Sequence, residues 1–255
     1  MIMKNPIYLV STGRTGTKYF SNFFSTYGID VTSYHTSKFT RTVNVLGNMY
    51  RQKMLSRRMM KMLLKHIKFH SVQSHNSRYI ECNPYYYNII DIIDDFFPEA
   101  KFIFVVRSPK SFISSYIKME RQRWKSTIAN RLIPFWQPTS YLDQIRGIGN
   151  NYYQRVEFFS KVWARKNTTI MKALSGRNNS ISLRFEQVFN PATGVDVMKG
   201  LIKWLDIGLK KPITQEMIVT KKNATIEDNV NSWDGHCTTI MNRYCSSVLR
   251  DLGFE

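Results

Sequence analysis

Apolar runs of four to six residues alternate with longer segments whose apolar positions recur at helical spacing, and this alternation predicts the fold. Ile7–Val10, Ile29–Tyr34, Arg78–Cys82, Lys101–Val106 and Ser180–Phe185 read as strands, with Lys101-Phe-Ile-Phe-Val-Val106 the clearest buried one. Between them, Tyr19, Phe20, Phe23 and Phe24 mark one face of a helix that Gly28 ends. Met49–His70 has a helical pattern, with Met54, Leu55, Met59, Met62, Leu63 and Ile67 apolar. A helix from Pro84 to Phe97 follows the third strand, and Pro109 opens another after the fourth. Tyr152–Leu174 is a long helix, a further helix follows Pro191, and the last runs from about His236 to Leu252. Lys118–Asn151, with Pro134, Pro138, Gly147 and Gly149, breaks the rhythm and reads as an insertion or lid. Strands alternating with helices predict an α/β fold of three layers, a parallel sheet of about five strands between helices. The 255 residues suit one domain, 1–255, with helical or lid insertions at about 36–70 and 121–150.

The segment from Ile7 to Phe20 organises the rest. An apolar strand breaks into Ser11-Thr-Gly-Arg-Thr-Gly16 and resumes as a helix, so backbone N–H groups and a helix N-terminus converge on the loop. Arg14 and Lys18 add full positive charges there. The segment reads as an anion site or as an ordinary strand-to-helix turn; it is not the GxxxxGK[ST] loop of nucleotide triphosphatases. Arg107 sits at a second strand–turn–helix junction, with Ser115 two turns into the helix, and the alternative for it is a salt-bridged loop arginine. His35 and Glu81 fall near the C-terminal ends of strands, the edge where ligands bind in open α/β sheets. As plain alternatives, His35 is a loop histidine and Glu81 pairs with one of the many cations.

Composition changes the picture in one respect. Lys and Arg outnumber Asp and Glu 37 to 18, a formal net charge of +19, which calls for anionic partners without choosing among nucleic acid, a membrane surface and acidic small molecules. Arg51, Lys53, Arg57, Arg58, Lys61, Lys65 and Lys68 crowd the basic helix, which either packs its apolar face on the sheet or grips a polyanion or lipid surface. Three scattered cysteines, Cys82, Cys237 and Cys245, fit neither a disulfide framework nor a zinc pattern and suggest reduced thiols. No secretory h-region and no membrane-length apolar run stand in the sequence, and a cytoplasmic protein is expected.

The two strand–turn–helix units together resemble the sulfotransferase family that uses 3′-phosphoadenosine 5′-phosphosulfate (PAPS). Arg14-Thr-Gly-Thr-Lys-Tyr19 is similar to the family's first loop, and Phe104-Val-Val-Arg107 with Ser115 to its second. Tyr79-Ile-Glu-Cys-Asn-Pro84, Leu183-Arg-Phe-Glu186, Trp204-Leu-Asp-Ile-Gly208 and Lys222-Asn-Ala224 with Trp233 resemble further family segments, so that nearly all the chain except about 36–70 and 121–150 is covered. The resemblance implies a P-loop-like fold and transfer of a sulfuryl group from PAPS to a hydroxyl or amine of a small-molecule or carbohydrate acceptor, releasing PAP. It implies no metal and no nucleic-acid partner. It assigns Thr12, Gly13, Arg14, Thr15, Gly16, Thr17, Lys18 and Tyr19 to the 5′-phosphosulfate end, with Tyr19 near the adenine. Arg107 and Ser115 go to the 3′-phosphate, and Lys222 and Asn223 to a cofactor-closing loop. Arg14 and Lys18 would stabilise the leaving oxygen, and His35 would take the acceptor's proton, with Glu81 the other candidate base. Relatives often have Trp at Tyr19 and a glutamate at or beside Thr36. A small-molecule kinase of the same architecture and a basic polyanion-binding module are the alternatives.

Overall fold

The structure is a computed structural model and describes residues 5–35, 37–69, 72, 77–122, 151–219 and 233–254. Five strands form one sheet: β1 Ile7–Ser11, β2 Val31–Tyr34, β3 Arg78–Cys82, β4 Lys101–Val106 and β5 Ser180–Arg184. Every neighbouring pair runs parallel, in the order β2-β3-β1-β4-β5. The helices are α1 Thr17–Tyr27, α2 Thr40–Arg51, α3 Arg57–Leu64, α4 Ile90–Phe96, α5 Pro109–Gln122 and α6 Tyr152–Leu174. They continue with α7 Phe185–Val188, α8 Gly194–Leu205, α9 Gln215–Val219 and α10 Gly235–Asp251. The three-layer α/β reading therefore stands.

Side-chain alternation on the strands builds the layers. On β1, Ile7 and Leu9 face a core of Phe20, Phe23 and Phe24 from α1 with Met198, Leu201 and Leu205 from α8. Tyr8 and Val10 face the opposite core, built from α4, α5, α6 and α10 around Phe112, Phe159 and Trp163. Both faces of the sheet are covered, which is why β1 and β4 read as continuous apolar runs rather than alternating ones. From β1 the chain crosses to β2 on one side, whereas from β4 it passes to β5 on the other. Such a reversal leaves a crevice beyond the C-terminal ends of β1 and β4. Residues 11–16 and 107–108 surround it.

The insertion departs from expectation. Met49–His70 is not one helix: α2 ends at Arg51, Lys53 takes a left-handed φ of 60°, and Ser56 caps α3 by accepting a hydrogen bond from the Met59 N–H at 3.2 Å. A π-helical turn, Lys65–Phe69, follows. The amphipathic pattern runs on across Ser56, but the serine ends the continuity by capping α3. Pro84 likewise opens no α-helix. The Asn83 side chain accepts from the Tyr85 N–H at 3.0 Å, a 3₁₀ turn covers Tyr86–Asn88, and α4 begins only at Ile90. At the start of the expected irregular segment, α5 continues to Gln122; the rest of the lid, 123–150, lies outside the described residues.

Candidate active site

The glycine loop is shaped by backbone conformation. Gly13, Arg14 and Gly16 all have positive φ, at 90°, 59° and 74°. Left-handed residues of this kind build tight turns, and the backbone N–H groups of a turn are able to line an anion-binding concavity. The two glycines are also sterically required. A Cβ on Gly13 would lie 2.6 Å from the Tyr116 hydroxyl, and one on Gly16 would lie 2.9 Å from Phe189 Cζ. Gly16 caps α1 without any side-chain hydrogen bond, and the first turn of the helix has no acidic residue. The helix N-terminus thus keeps its positive end for an anion. Beneath the loop, the Ser11 hydroxyl accepts from the Gly13 N–H at 3.2 Å and from the Thr15 hydroxyl at 2.7 Å. The Thr12 carbonyl accepts from the Tyr116 hydroxyl and the buried Lys166 ammonium, each at 3.3 Å.

The second unit meets the first directly. Arg107 Nη1 donates to the Arg14 carbonyl at 2.7 Å, and Arg14 Nε donates to the Ser115 hydroxyl at 2.9 Å. Two segments about a hundred residues apart therefore form one cationic surface. Arg107 stacks on Phe185 with 4.5 Å to the ring centroid, its carbonyl accepts from the Trp163 indole at 2.8 Å, and its Nε is buried without a partner. Burial lowers the Arg107 pKa and the Arg14 charge acts the same way, while Glu186 opposes them. Glu186 accepts from the Ser108 N–H at 2.9 Å, so this carboxylate fixes the turn of the second unit.

The sequence shows Glu186 only as part of a family segment and Trp163 only as an apolar position of α6, and gives Lys166 no role. Lys166 had a visible signal, a lysine on the apolar stripe of α6 beside Val162, Trp163 and Ile170. Tyr19 packs its ring against Phe20, Phe23 and Phe189, the last at 4.8 Å. Burial raises its hydroxyl pKa. Thr12, Thr15 and Thr17 are buried in the loop and the first turn of α1, and Lys18 is exposed. Lys222 and Asn223 lie outside the described residues.

At the other edge of the crevice, β2 ends at Tyr34, which pairs with Glu81 of β3. The parallel register carries the next residue, His35, to the Cys82 carbonyl, 3.2 Å from Nδ1. A carbonyl only accepts, so Nδ1 carries the proton and Nε2 presents its lone pair. Burial lowers the His35 pKa below 6.5; the Cys82 bond opposes this, and the charge of Lys18 adds to it. His35 is therefore neutral near pH 7, and Lys18 lies within its electrostatic reach.

Glu81 has a different environment. Fully buried, it accepts from Ser37 Oγ at 2.6 Å, Lys68 Nζ at 2.8 Å, Asn83 Nδ2 at 3.3 Å and the Tyr79 hydroxyl. Burial and the Glu81 charge together raise the Tyr79 pKa, so the phenol stays a donor. Lys68, expected among the solvent-facing cations, is buried instead because it continues the inward stripe of Met60 and Leu64. Arg51, Arg57 and Lys61 pair with Asp91 or Asp95, which further thins the free charge of this segment.

Comparison with known proteins supplies a family. The sulfotransferase family model matches residues 28–209, a span that excludes the glycine loop. Among solved structures, a sulfotransferase domain from the curacin biosynthetic pathway is similar, with a TM-score of 0.54, 15% identity and coverage of 97% of this chain and 98% of that one. A sulfotransferase from Alicyclobacillus acidocaldarius is similar at a TM-score of 0.53 and 13% identity, covering 99% and 97%. At these identities the structural likeness speaks to the fold alone. No curated protein matches in sequence. Over more than half its length, then, and with the fold in agreement, this chain belongs to the sulfotransferase family.

Proposed function

We propose that this protein transfers the sulfuryl group of PAPS to a hydroxyl or amine of a small-molecule or carbohydrate acceptor and releases PAP. The observation that carries the reading is the joining of two cationic units, through Arg107 to the Arg14 carbonyl and Arg14 to Ser115. PAPS has anionic groups at two separated positions, and a glycine loop beside an arginine–serine pair suits both. The fit is supported by the partnerless buried Nε of Arg107 and by an α1 N-terminus that no side chain caps. When bound, PAPS supplies an electrophilic sulfur on a phosphate leaving group.

In this reading the residues divide the work. The loop at 13–16 and the first turn of α1, with Thr12, Thr15 and Thr17, hold the 5′ end. Arg107 and Ser115 hold the 3′-phosphate. Arg14, bonded to Ser115, couples the two grips, and Lys18 supplies positive charge where the leaving oxygen gains electrons. His35 Nε2 accepts the acceptor's proton, with the tautomer fixed by the Cys82 carbonyl. Four donors on Glu81 leave it poorly suited to that role. Sulfuryl transfer, like phosphoryl transfer, depends mainly on alignment and charge neutralisation, so this division needs no covalent intermediate. The cytoplasmic setting expected from the cysteine pattern belongs to the same reading.

The test is PAP binding by calorimetry together with label transfer from PAPS to a panel of hydroxyl and amine acceptors. Micromolar or tighter PAP binding without added metal, with transfer to at least one acceptor class, is expected. A preference for ATP with Mg²⁺ over PAP would instead favour the kinase alternative.

A further inference from the structure

We propose that Glu81, Lys68 and Ser37 form a clamp that positions His35, with Lys68 as the contribution of the basic segment 57–69. The inference rests on the base role given to His35 above. Its first support is a closed ring of hydrogen bonds. Ser37 donates through Oγ to Glu81 at 2.6 Å, while the Ser37 carbonyl accepts from the Thr40 N–H at 3.2 Å and the Thr40 hydroxyl at 2.8 Å. Asn83 Nδ2 closes the ring, donating to Thr40 Oγ1 at 3.2 Å and to Glu81 at 3.3 Å. Lys68 Nζ donates to both Glu81 and Ser37 Oγ.

Geometry then ties the ring to the base. Tyr34, before His35, is fixed by its pairing with Glu81 in the sheet. Ser37, after it, is fixed by the Glu81 side chain. The carbonyl that receives the imidazole proton belongs to Cys82, between Glu81 and Asn83. One short stretch of β3 and its exit therefore holds Tyr34, Ser37 two positions after His35, and the ring itself.

Charge explains why the clamp uses a carboxylate. Lys68 is 3% exposed, and a buried ammonium needs a negative partner. With Glu81 the pair is neutral and the Glu81 lone pairs are occupied, so the carboxylate acts through position rather than by taking a proton. Lys68 also sits at the π-helical turn that ends the basic segment, a local distortion that often accompanies functional sites.

The test uses Ser37→Ala and Glu81→Gln in the full-length protein, Ser37→Ala being the milder change. Nitrogen-15 NMR of the histidines reads the His35 tautomer without any substrate, with His35→Ala used to assign the signal. The wild type is expected to show the Nδ1–H tautomer and the variants a mixture. In parallel, kcat should fall on the order of 10- to 100-fold, the effect of a base displaced by about 1 Å, with the KM for PAPS and the Kd for PAP within about twofold of wild type. An unchanged tautomer and unchanged kcat in folded Ser37→Ala and Glu81→Gln would overturn the clamp. So would an inactive Glu81→Gln with an intact tautomer alongside an active His35→Ala, which would make Glu81 the base. Failure of the wild type to bind PAP would remove the donor assignment instead, and the tautomer measurement would still decide the clamp.

Discussion

The two edges of the crevice are built by opposite means. Around the glycine loop, backbone conformation and cations shape the site: three positive-φ residues, an uncapped helix and two arginines bonded to each other's segment. Around His35, a buried carboxylate is saturated with donors and the side chains form a closed ring. The difference follows from what each edge has to handle. A site for anions keeps carboxylates away from its concavity, and Glu186, which lies beside Arg107 among the described residues, is bonded to a backbone N–H. A site for a proton must fix a tautomer and hold its neighbours still, and a buried ion pair does so through geometry.

The largest effect expected breaks the comparison at the base. His35→Ala should lower turnover by about 10²- to 10⁴-fold, the usual worth of a positioned general base, while calorimetric PAP affinity stays as in wild type. Loss of PAP affinity in that variant would mean that the two edges are not separable. Next, Lys68→Met leaves Glu81 buried without its cation and should cost about 3–5 kcal/mol of stability, read as a lowered Tm. The double variant Lys68→Met/Glu81→Gln, with neither charge, should recover much of that loss.

A smaller effect sharpens the loop side. Gly13→Ala forces a side chain into a φ of 90° and against the Tyr116 hydroxyl, and should cost about 1–3 kcal/mol. Adding Tyr116→Phe removes the oxygen and should restore part of the loss, leaving the backbone strain. Smallest is the pH dependence. Because burial lowers the His35 pKa, the folded protein releases that proton before the unfolded chain does. Below pH 6.5 the unfolded state then binds more protons, so His35 weakens folding as pH falls from 6.5 through its folded pKa and is without effect on stability above 6.5. The NMR titration midpoint of His35 should accordingly fall below 6.5, and the acid limb of kcat/KM should follow it.

Most of the scaffold was legible from the sequence because both faces of the sheet are buried. Lys101–Val106 and Tyr152–Leu174 were read with their observed bounds, since an uninterrupted apolar run and an apolar helical stripe each have few alternative readings. The break between α2 and α3 was not, because Ser56 is an ordinary residue until it caps a helix. Of the site, the loop, Arg107, Ser115 and His35 were visible as types at strand ends. Their joining was not: the Arg14–Ser115 bond spans 101 positions and exists only through the pairing of β1 with β4. The burial of Lys68 was not legible because the apolar face expected for this segment runs through Met54, Met59 and Met62, which are exposed, whereas the inward stripe is Met60 and Leu64. A lysine on an apolar stripe is itself the signal of a buried partner, here Glu81.

The central claim, that Arg14, Arg107 and Ser115 unite two phosphate grips, is tested most directly by comparing PAP with adenosine 5′-phosphate on wild type and Arg107→Ala by calorimetry. Wild type should bind PAP about 10- to 100-fold more tightly, the worth of a charge-assisted contact to the 3′-phosphate, and Arg107→Ala should erase that margin while leaving adenosine 5′-phosphate affinity nearly unchanged. Equal affinity of the wild type for both nucleotides, or a PAP preference that survives Arg107→Ala, would contradict it.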